Sequence, residues 1–146
     1  MLRITKQSDY GIVLLGQFVG LKSGDVLSAK ESSSQTGIPL PMVSKILKGL
    51  SHEGLLDSQR GPTGGYQLAR PADQIRLVEI IEAIEGPIAM TSCCGPEEAA
   101  SCNIAENCRV RVNWQRINHK IHEALSDMSL ADMTDQVPCH DDTKAR

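Results

Sequence analysis

Aromatic residues are scarce in this chain, which has one Trp, two Tyr and one Phe among its 146 residues. Hydrophobic residues still make up 40% of the sequence, so a core can form. That core must consist mainly of Leu, Ile and Val. At this length we predict one domain, with at most an appended element.

Long hydrophobic runs are also missing. The longest, residues 11–21, is about half of the ~20 residues that a membrane-spanning helix needs, and it contains Gln17. Residues 1–9 show neither the apolar segment nor the small-residue cleavage site of a secretory signal. We therefore expect no membrane association and a cytoplasmic protein.

Sequence signatures of catalysis are absent as well. There is no nucleotide-binding loop, no Ser/His/Asp set and no glycine-rich phosphate site. We therefore expect that the protein is not an enzyme.

Charge is divided unevenly along the chain. Residues 1–76 carry nine Lys/Arg and six Asp/Glu, a net charge of +3, whereas residues 77–146 carry six and twelve, a net charge of −6. The overall charge of −3 does not exclude a nucleic-acid partner, because affinity for DNA depends on the local charge that faces phosphate. A weakly dipolar soluble protein would show the same pattern.

The first half of the chain predicts a winged helix-turn-helix. Helical patterns cover residues 8–21, with Ser8 or Asp9 as the N-cap, and a short segment from the capping box Ser28-Ala-Lys-Glu31 to Gly37. A third helix has Pro41 in its first turn and ends at Gly54. Strands at 55–60 and 66–70 follow, joined by a tight loop at 61–65. A further helix is predicted at 75–85.

A long C-terminal helix is predicted at about residues 104–128. Its apolar stripe lies close to heptad spacing and favours a dimerisation helix, although the stripe could instead pack on its own domain. The fold class is therefore mainly α, a winged helix-turn-helix with a small β-hairpin wing and a long C-terminal dimerisation helix. We divide the chain into a DNA-binding domain (1–86), a cysteine loop (87–109), a dimerisation region (110–133) and an acidic, disordered tail (134–146).

In such a fold the third helix enters the major groove of double-stranded DNA and the hairpin approaches the backbone or the minor groove. Lys45 and Lys48 are candidate phosphate contacts, and Ser44 could reach a base edge. The candidate wing contacts are Arg60, Gly61 and Gly64, with Gly65 beside them. The competing interpretation is a winged helix that contacts only protein.

Cysteines form the second candidate site. Cys94, Cys102 and Cys108 are spaced C-x7-C-x5-C in a short polar stretch. Because cytoplasmic thiols stay reduced, such a group favours a metal or iron–sulfur cluster over structural disulfides. A redox switch and inert thiols remain alternatives. The candidate fourth ligands are Asp9, Cys93, Cys139, His119, His122 or a residue of a partner chain.

Three segments make the chain resemble the IscR/NsrR/RirA-type family of bacterial winged-helix regulators. They are residues 1–10, the wing sequence Gly54-Leu-Leu-Asp-Ser-Gln-Arg-Gly-Pro-Thr-Gly-Gly-Tyr-Gln-Leu-Ala-Arg70, and the cysteine loop. The resemblance covers roughly residues 1–130 and is strongest to the regulators of the SUF iron–sulfur assembly system.

The resemblance implies a homodimer in which Cys94, Cys102 and Cys108 hold one [2Fe-2S] or [4Fe-4S] cluster per subunit. Asp9 matches the acidic ligand that some members take from the partner subunit, and Arg111 stands where others have a ligand His. Ser44 replaces a Glu that helps some relatives to discriminate DNA sites. The implied function is a repressor of cluster-assembly genes that senses cluster status, with a cluster-free thiol-based redox repressor as the alternative.

Overall fold

The computed structural model describes residues 3–22, 24–95, 104 and 107–135. Within these residues, none of the helices is long and apolar enough to cross a membrane. The helices are α1 (Lys6–Val19), α2 (Ala29–Thr36), α3 (Leu40–His52), α4 (Leu77–Glu85), α5 (Arg111–Asp127) and α6 (Leu130–Thr134). Strands β1 (Leu56–Gln59) and β2 (Gly65–Leu68) form the hairpin, and short 3-10 helices span Ala72–Gln74 and Ser92–Cys94.

Helix α1 begins earlier than its sequence pattern predicts. Thr5 is the N-cap, and its hydroxyl accepts a hydrogen bond from the backbone N–H of Ser8. The predicted caps, Ser8 and Asp9, are instead inside the first turn. Ser8 is fully buried, and its hydroxyl donates a hydrogen bond to the carboxylate of Glu85 at the end of α4. This long-range contact ties the first turn of α1 to α4.

Helices α2 and α3 confirm the predicted helix-turn-helix pair. The Ser28 and Glu31 side chains form the expected reciprocal capping box, and Gly37 ends α2 with a φ of 74° that disfavours other residues. In α3, Pro41 lies in the first turn, where its missing N–H leaves no bond unmade. The buried stripe of α3 is the predicted one, formed by Val43, Ile46, Leu47 and Leu50.

The hairpin is also confirmed. β1 and β2 pair antiparallel, with Leu56 opposite Leu68 and Gln59 opposite Gly65. On the edge of β2 that faces away from β1, Tyr66 and Leu27 exchange two backbone hydrogen bonds, at 2.9 and 3.0 Å. These bonds join the hairpin to the segment before α2, so the wing has a fixed position relative to the helix-turn-helix.

The C-terminal part differs from its prediction in two ways. Helix α5 begins at Arg111 rather than near residue 104, since residues 107–110 form turns and an irregular stretch. A short helix, α6, then follows in a region that the sequence pattern left as the end of the dimerisation segment. Ser129 and Asp132 form its capping box.

Helix α6 turns the chain back onto the DNA-binding half. Leu130 is 0% exposed and belongs to the main core. Backbone bonds join Leu77 N–H to the Met128 carbonyl (2.9 Å) and Leu130 N–H to the Ile75 carbonyl (2.8 Å). The C-terminal end of α5 is thereby fastened to the start of α4.

As the composition predicts, the core is aliphatic, and Phe18 is its only buried aromatic residue among those that the structure describes. It is formed by α1, α3, α4, α6, the hairpin and the segments beside them, through Leu14, Leu15, Phe18, Leu27, Ile38, Val43, Ile46, Leu47, Leu50, Leu55, Leu56, Ile75, Ile80 and Leu130.

Candidate functional site

The outer face of α3 is polar and solvent-exposed. Ser44, Lys45 and Lys48 are all exposed there, opposite the buried stripe that fixes the rotation of the helix. Two ammonium groups and a hydroxyl therefore face solvent on the helix that follows the turn. This is the arrangement by which a second helix meets phosphates and base edges in a major groove.

The hairpin extends this face. Arg60 and Gly61 are exposed at its tip, and Gly61 has a φ of +121°. Between the hairpin and α3 lies a depression of about 590 Å³ whose lining includes Lys48, His52 and Arg60. Cationic side chains on both walls of a surface depression suit the phosphate backbone of a nucleic acid.

Gly64 and Gly65 have a structural reason to be glycine, which the sequence analysis did not identify. A Cβ on Gly64 would lie 2.3 Å from the backbone oxygen of Gln59, and one on Gly65 would lie 2.7 Å from the backbone of Leu27. Both glycines are therefore required by the close packing of the hairpin. Gly64 is partly exposed and Gly65 is buried.

The cysteines that the structure describes follow α4 in the sequence and lie beside α5. Cys93 and Cys94 belong to the 3-10 helix, and Cys108 precedes α5; all three are half-buried free thiols. Cys102 and Cys139 lie outside the described residues. Within the part of the chain that the structure describes, no group of three or more His, Cys, Asp or Glu side chains is placed to hold a metal ion.

Segment 88–90 before the thiols is anchored to α5 by Asn118. The side-chain oxygen of Asn118 accepts from the N–H of Met90 at 2.9 Å, and its NH₂ donates to the carbonyl of Ile88 at 3.2 Å. Glu82 accepts from the N–H of Ile88 at 3.3 Å. Sequence reasoning missed Asn118, and an isolated Asn in a helix gives no signal of such a contact.

The two histidines of α5 have carboxylate neighbours. Nε2 of His119 lies 3.0 Å from Oε1 of Glu123, and Nε2 of His122 lies 3.8 Å from Oε1 of Glu82. Together with Cys93 and Cys94, the two histidines line a surface depression of about 520 Å³.

Asp9 lies in the first turn of α1, where it is exposed. Just before it, one carboxylate oxygen of Glu85 accepts from the Thr5 N–H (3.1 Å), the Thr5 hydroxyl (3.0 Å) and the Ser8 hydroxyl. These hydrogen bonds, of which the one from Ser8 has the largest effect, hold the pKa of Glu85 below its ordinary value of 4.5. Glu85 therefore joins the end of α4, which leads to the thiols, to the helix that carries Asp9.

Helix α5 presents an unusually exposed apolar surface. None of its 17 residues is buried. Trp114 is 37% exposed and Ile117 44%, and because their positions are three apart they share one face of the helix. Val112, 65% exposed, lies on another side of the helix. An amphipathic helix with this much exposed apolar surface is typical of a protein–protein interface.

A helix-turn-helix pair with an exposed cationic second helix, followed by a β-hairpin packed beside it, defines a winged-helix DNA-binding transcriptional regulator. The chain belongs to the Rrf2 family, described as iron-dependent transcriptional regulators, which matches residues 4–136. The proteins named in this family are transcriptional regulators and not enzymes, as the sequence predicts.

Relatives of known name agree with this assignment. The chain is 32% identical over 143 residues to the HTH-type transcriptional regulator IscR of Cereibacter sphaeroides, covering 94% of this chain and 92% of that protein. It is 31% identical over 133 residues to IscR of Sodalis glossinidius, covering 90% and 78% of the two chains.

Solved structures share the fold. CymR (YrzC), the global cysteine regulator of B. subtilis, superposes with a TM-score of 0.70 at 27% identity, covering 92% of this chain and 97% of that one. IscR of T. potens superposes with a TM-score of 0.68 at 25% identity, covering 90% and 85%. The winged-helix prediction is thereby confirmed.

Proposed function

We propose that this regulator represses iron–sulfur cluster assembly genes and senses cluster status through an iron–sulfur cluster of its own. The observation that carries the proposal is the placement of half-buried free thiols, Cys94 and Cys108, beside α5, at either end of the segment that contains Cys102. The description of the family as iron-dependent and the IscR-named relatives support it.

The donor set suits such a group. Thiolates are the ligands that iron–sulfur clusters require, and Cys94, Cys102 and Cys108 would supply three of them. The proposed fourth ligand is Asp9 of the partner subunit. When bound, the cluster would supply iron–ligand bonds whose gain or loss depends on the iron and redox conditions of the cell. Either a [2Fe-2S] or a [4Fe-4S] cluster is compatible with this set.

The chain's own residues link this loop to the DNA-binding half. Asn118 ties the residues before the thiols to α5, and α5 is fastened at its other end to the start of α4 by the bonds at Leu77 and Leu130. Glu85 ties the end of α4 to α1. A change in the loop therefore has two routes of direct contact to the DNA-binding half, one that ends at the start of α4 and one that ends at α1.

We further propose that the protein is a homodimer formed through the apolar face of α5, which carries Trp114 and Ile117. In a two-fold dimer of this kind the two α3 helices would read successive major grooves, which are about 34 Å apart. Ser44, Lys45, Lys48, Arg60, Gly61 and Gly64 are the proposed contacts to the operator. A small change in the relation of the subunits would then change affinity steeply.

The regulated genes and the role of the cluster are tested together by selecting fragments from genomic DNA with the cluster-loaded and the cluster-free protein. We expect fragments upstream of cluster-assembly genes, with retention that differs between the two forms. Cys102→Ala should abolish that difference, whereas Cys139→Ala should preserve it. If Cys102→Ala kept both the visible absorption and the cluster-dependent binding, the proposal would be wrong.

A second candidate is a thiol-based redox regulator without a cluster. It is favoured by the adjacent thiols of Cys93 and Cys94 and by the likeness of the fold to a global cysteine regulator. This candidate predicts that iron-free protein binds the operator and loses or gains affinity reversibly on mild oxidation. Mobility shifts before and after oxidation, followed by reduction, distinguish it from the cluster mechanism.

A further inference from the structure

Cys93 is a thiol that the proposed cluster does not use. It lies directly before Cys94 in the 3-10 helix Ser92–Cys94, and both sulfurs lie close to the hydroxyl oxygen of Thr91, at 3.1 and 3.3 Å. The compact turn therefore brings both thiols to one side of the chain, against one polar atom. Consecutive side chains of a β-strand would instead point to opposite faces.

The pair is accessible to a small ligand. Both thiols are half-buried and line the depression of about 520 Å³ beside α5. The remaining lining consists of uncharged amides and two imidazoles, from Gln115, Asn118, His119 and His122. Among the described residues that line this depression there is no Asp or Glu, so nothing there favours a hard cation such as Mg²⁺ or Ca²⁺.

The number of donors restricts the ligand class further. Tetrahedral zinc sites use four ligands, and no group of three or more metal-binding side chains exists among the residues that the structure describes. A species that is satisfied by two soft sulfur donors fits better. We propose that Cys93 and Cys94 form a two-thiol binding site for trivalent arsenicals.

The reaction needs no oxidant. With an organic arsenic(III) oxide, the two S–H bonds and the arsenic–oxygen bond break, and two arsenic–sulfur bonds form. The oxygen leaves as water with both thiol protons, and the arsenic keeps its oxidation state and its carbon substituent. The open depression leaves room for that substituent.

The site has a regulatory consequence that rests on the proposed function. Since Cys94 is also a proposed cluster ligand, an arsenical bound to the pair would prevent cluster assembly on the same loop. The neighbouring Cys93 would thus make the regulator responsive to arsenicals that a single ligand cysteine would bind only weakly.

The test uses phenylarsine oxide with the reduced, metal-free full-length protein, read by intact mass and by counting the remaining thiols. We expect one adduct per chain and the loss of two thiols. Cys93→Ser and Cys94→Ser should each weaken binding roughly 10²-fold or more, because the second bond is lost from a site where it forms intramolecularly. The matched control, Cys108→Ser, should bind like the wild type.

An adduct that still consumes two thiols in Cys93→Ser would overturn the proposal, as would a wild-type protein without an adduct. The regulatory consequence has its own test, which is cluster reconstitution with and without the arsenical. Loss of reconstitution in the wild type but not in Cys93→Ser supports competition for Cys94. Unchanged reconstitution of a protein that carries the adduct contradicts it. Mass and thiol counts do not involve the cluster, so failure of the cluster proposal is recognised separately.

Discussion

Glu85 joins the first helix to the fourth, and replacing it tests whether this link stabilises the fold. Its carboxylate accepts hydrogen bonds from the Thr5 backbone, the Thr5 hydroxyl and the buried Ser8 hydroxyl. Glu85→Gln keeps the size of the side chain and one oxygen acceptor but removes the charge. We expect the variant to fold and to be less stable at neutral pH.

The magnitude follows from opposing effects. A hydrogen bond to a charged group contributes about 1.5–3 kcal/mol, but Thr5 and Glu85 are exposed and water competes for them. Removing the charge also relieves an unfavourable interaction with the C-terminal end of α4, by about 0.3–1 kcal/mol. Ser8 is fully buried, so the weakening of its bond dominates. We expect a net loss of about 1 kcal/mol.

The same substitution predicts a pH dependence. Because the pKa of Glu85 is lowered in the folded state, its contribution is fully present above the unfolded value near 4.5 and is lost as pH falls through the lower folded-state pKa. Glu31 and Asp132 also have lowered pKa values, but they are present in both proteins and cancel in the difference. The gap in stability between wild type and Glu85→Gln should therefore close in acid.

Urea unfolding at neutral pH and at several pH values below 4.5, followed by circular dichroism, measures this gap. Asp73→Asn is the matched control, since Asp73 is exposed and its carboxylate makes no hydrogen bond among the described residues. It should change stability by less than about 0.5 kcal/mol. A Glu85→Gln variant as stable as wild type at neutral pH, or a gap that persists in acid, would mean that the charged carboxylate of Glu85 does not stabilise the fold.

Three further substitutions test other parts of the structure. Lys48→Ala should weaken DNA binding and reduce the slope of log affinity against log salt by about 1, as measured by fluorescence anisotropy, whereas Lys22→Ala, on the exposed turn after α1, should leave the slope unchanged. Leu130→Ala should cost about 2–5 kcal/mol in denaturant unfolding, because Leu130 is 0% exposed; a cost below 1 kcal/mol would mean that α6 does not contribute to the core. Ile117→Glu should convert the proposed dimer to monomer in sedimentation experiments, because it places a charge in the apolar face of α5; an unchanged sedimentation coefficient would exclude this face as the interface.

The helix-turn-helix and the hairpin could be predicted because their signals are local. The capping box at Ser28 and the apolar repeat from Val43 to Leu50 each lie within one element, and the structure reproduces both. The scarcity of aromatic residues likewise predicted an aliphatic core. The capping box and the apolar repeat depend on side chains three or four residues apart, which a sequence displays directly.

The element boundaries that were missed have different causes. The start of α1 has a local signal in its N-cap Thr5, but the contact that ties it to α4 joins Ser8 and Glu85, which are 77 residues apart and share no local pattern. Helix α6 did leave a local signal, since Ser129-Leu-Ala-Asp132 is a capping-box sequence. No helix is nevertheless predicted after residue 128, because five residues are too few to display a helical repeat.

Of the candidate cluster site, only the proposed ligands could be predicted from the sequence. The spacing of Cys94, Cys102 and Cys108 draws attention to the thiols, but nothing in the sequence shows that Asn118 anchors the segment before them or that Thr91 contacts two sulfurs. Residues that support a site in this way make their contacts only after separate segments of the chain have folded together, so the sequence alone does not identify them.

We propose that Cys94, Cys102 and Cys108 hold an iron–sulfur cluster. This proposal is tested most directly by anaerobic purification, followed by an absorption spectrum and by analysis of iron, acid-labile sulfide and zinc. We predict a brown protein with iron and sulfide in equal amounts, and loss of both in Cys94→Ala, Cys102→Ala and Cys108→Ala. A colourless protein with stoichiometric zinc, or one that takes up no cluster on reconstitution, would show that these cysteines do not hold an iron–sulfur cluster.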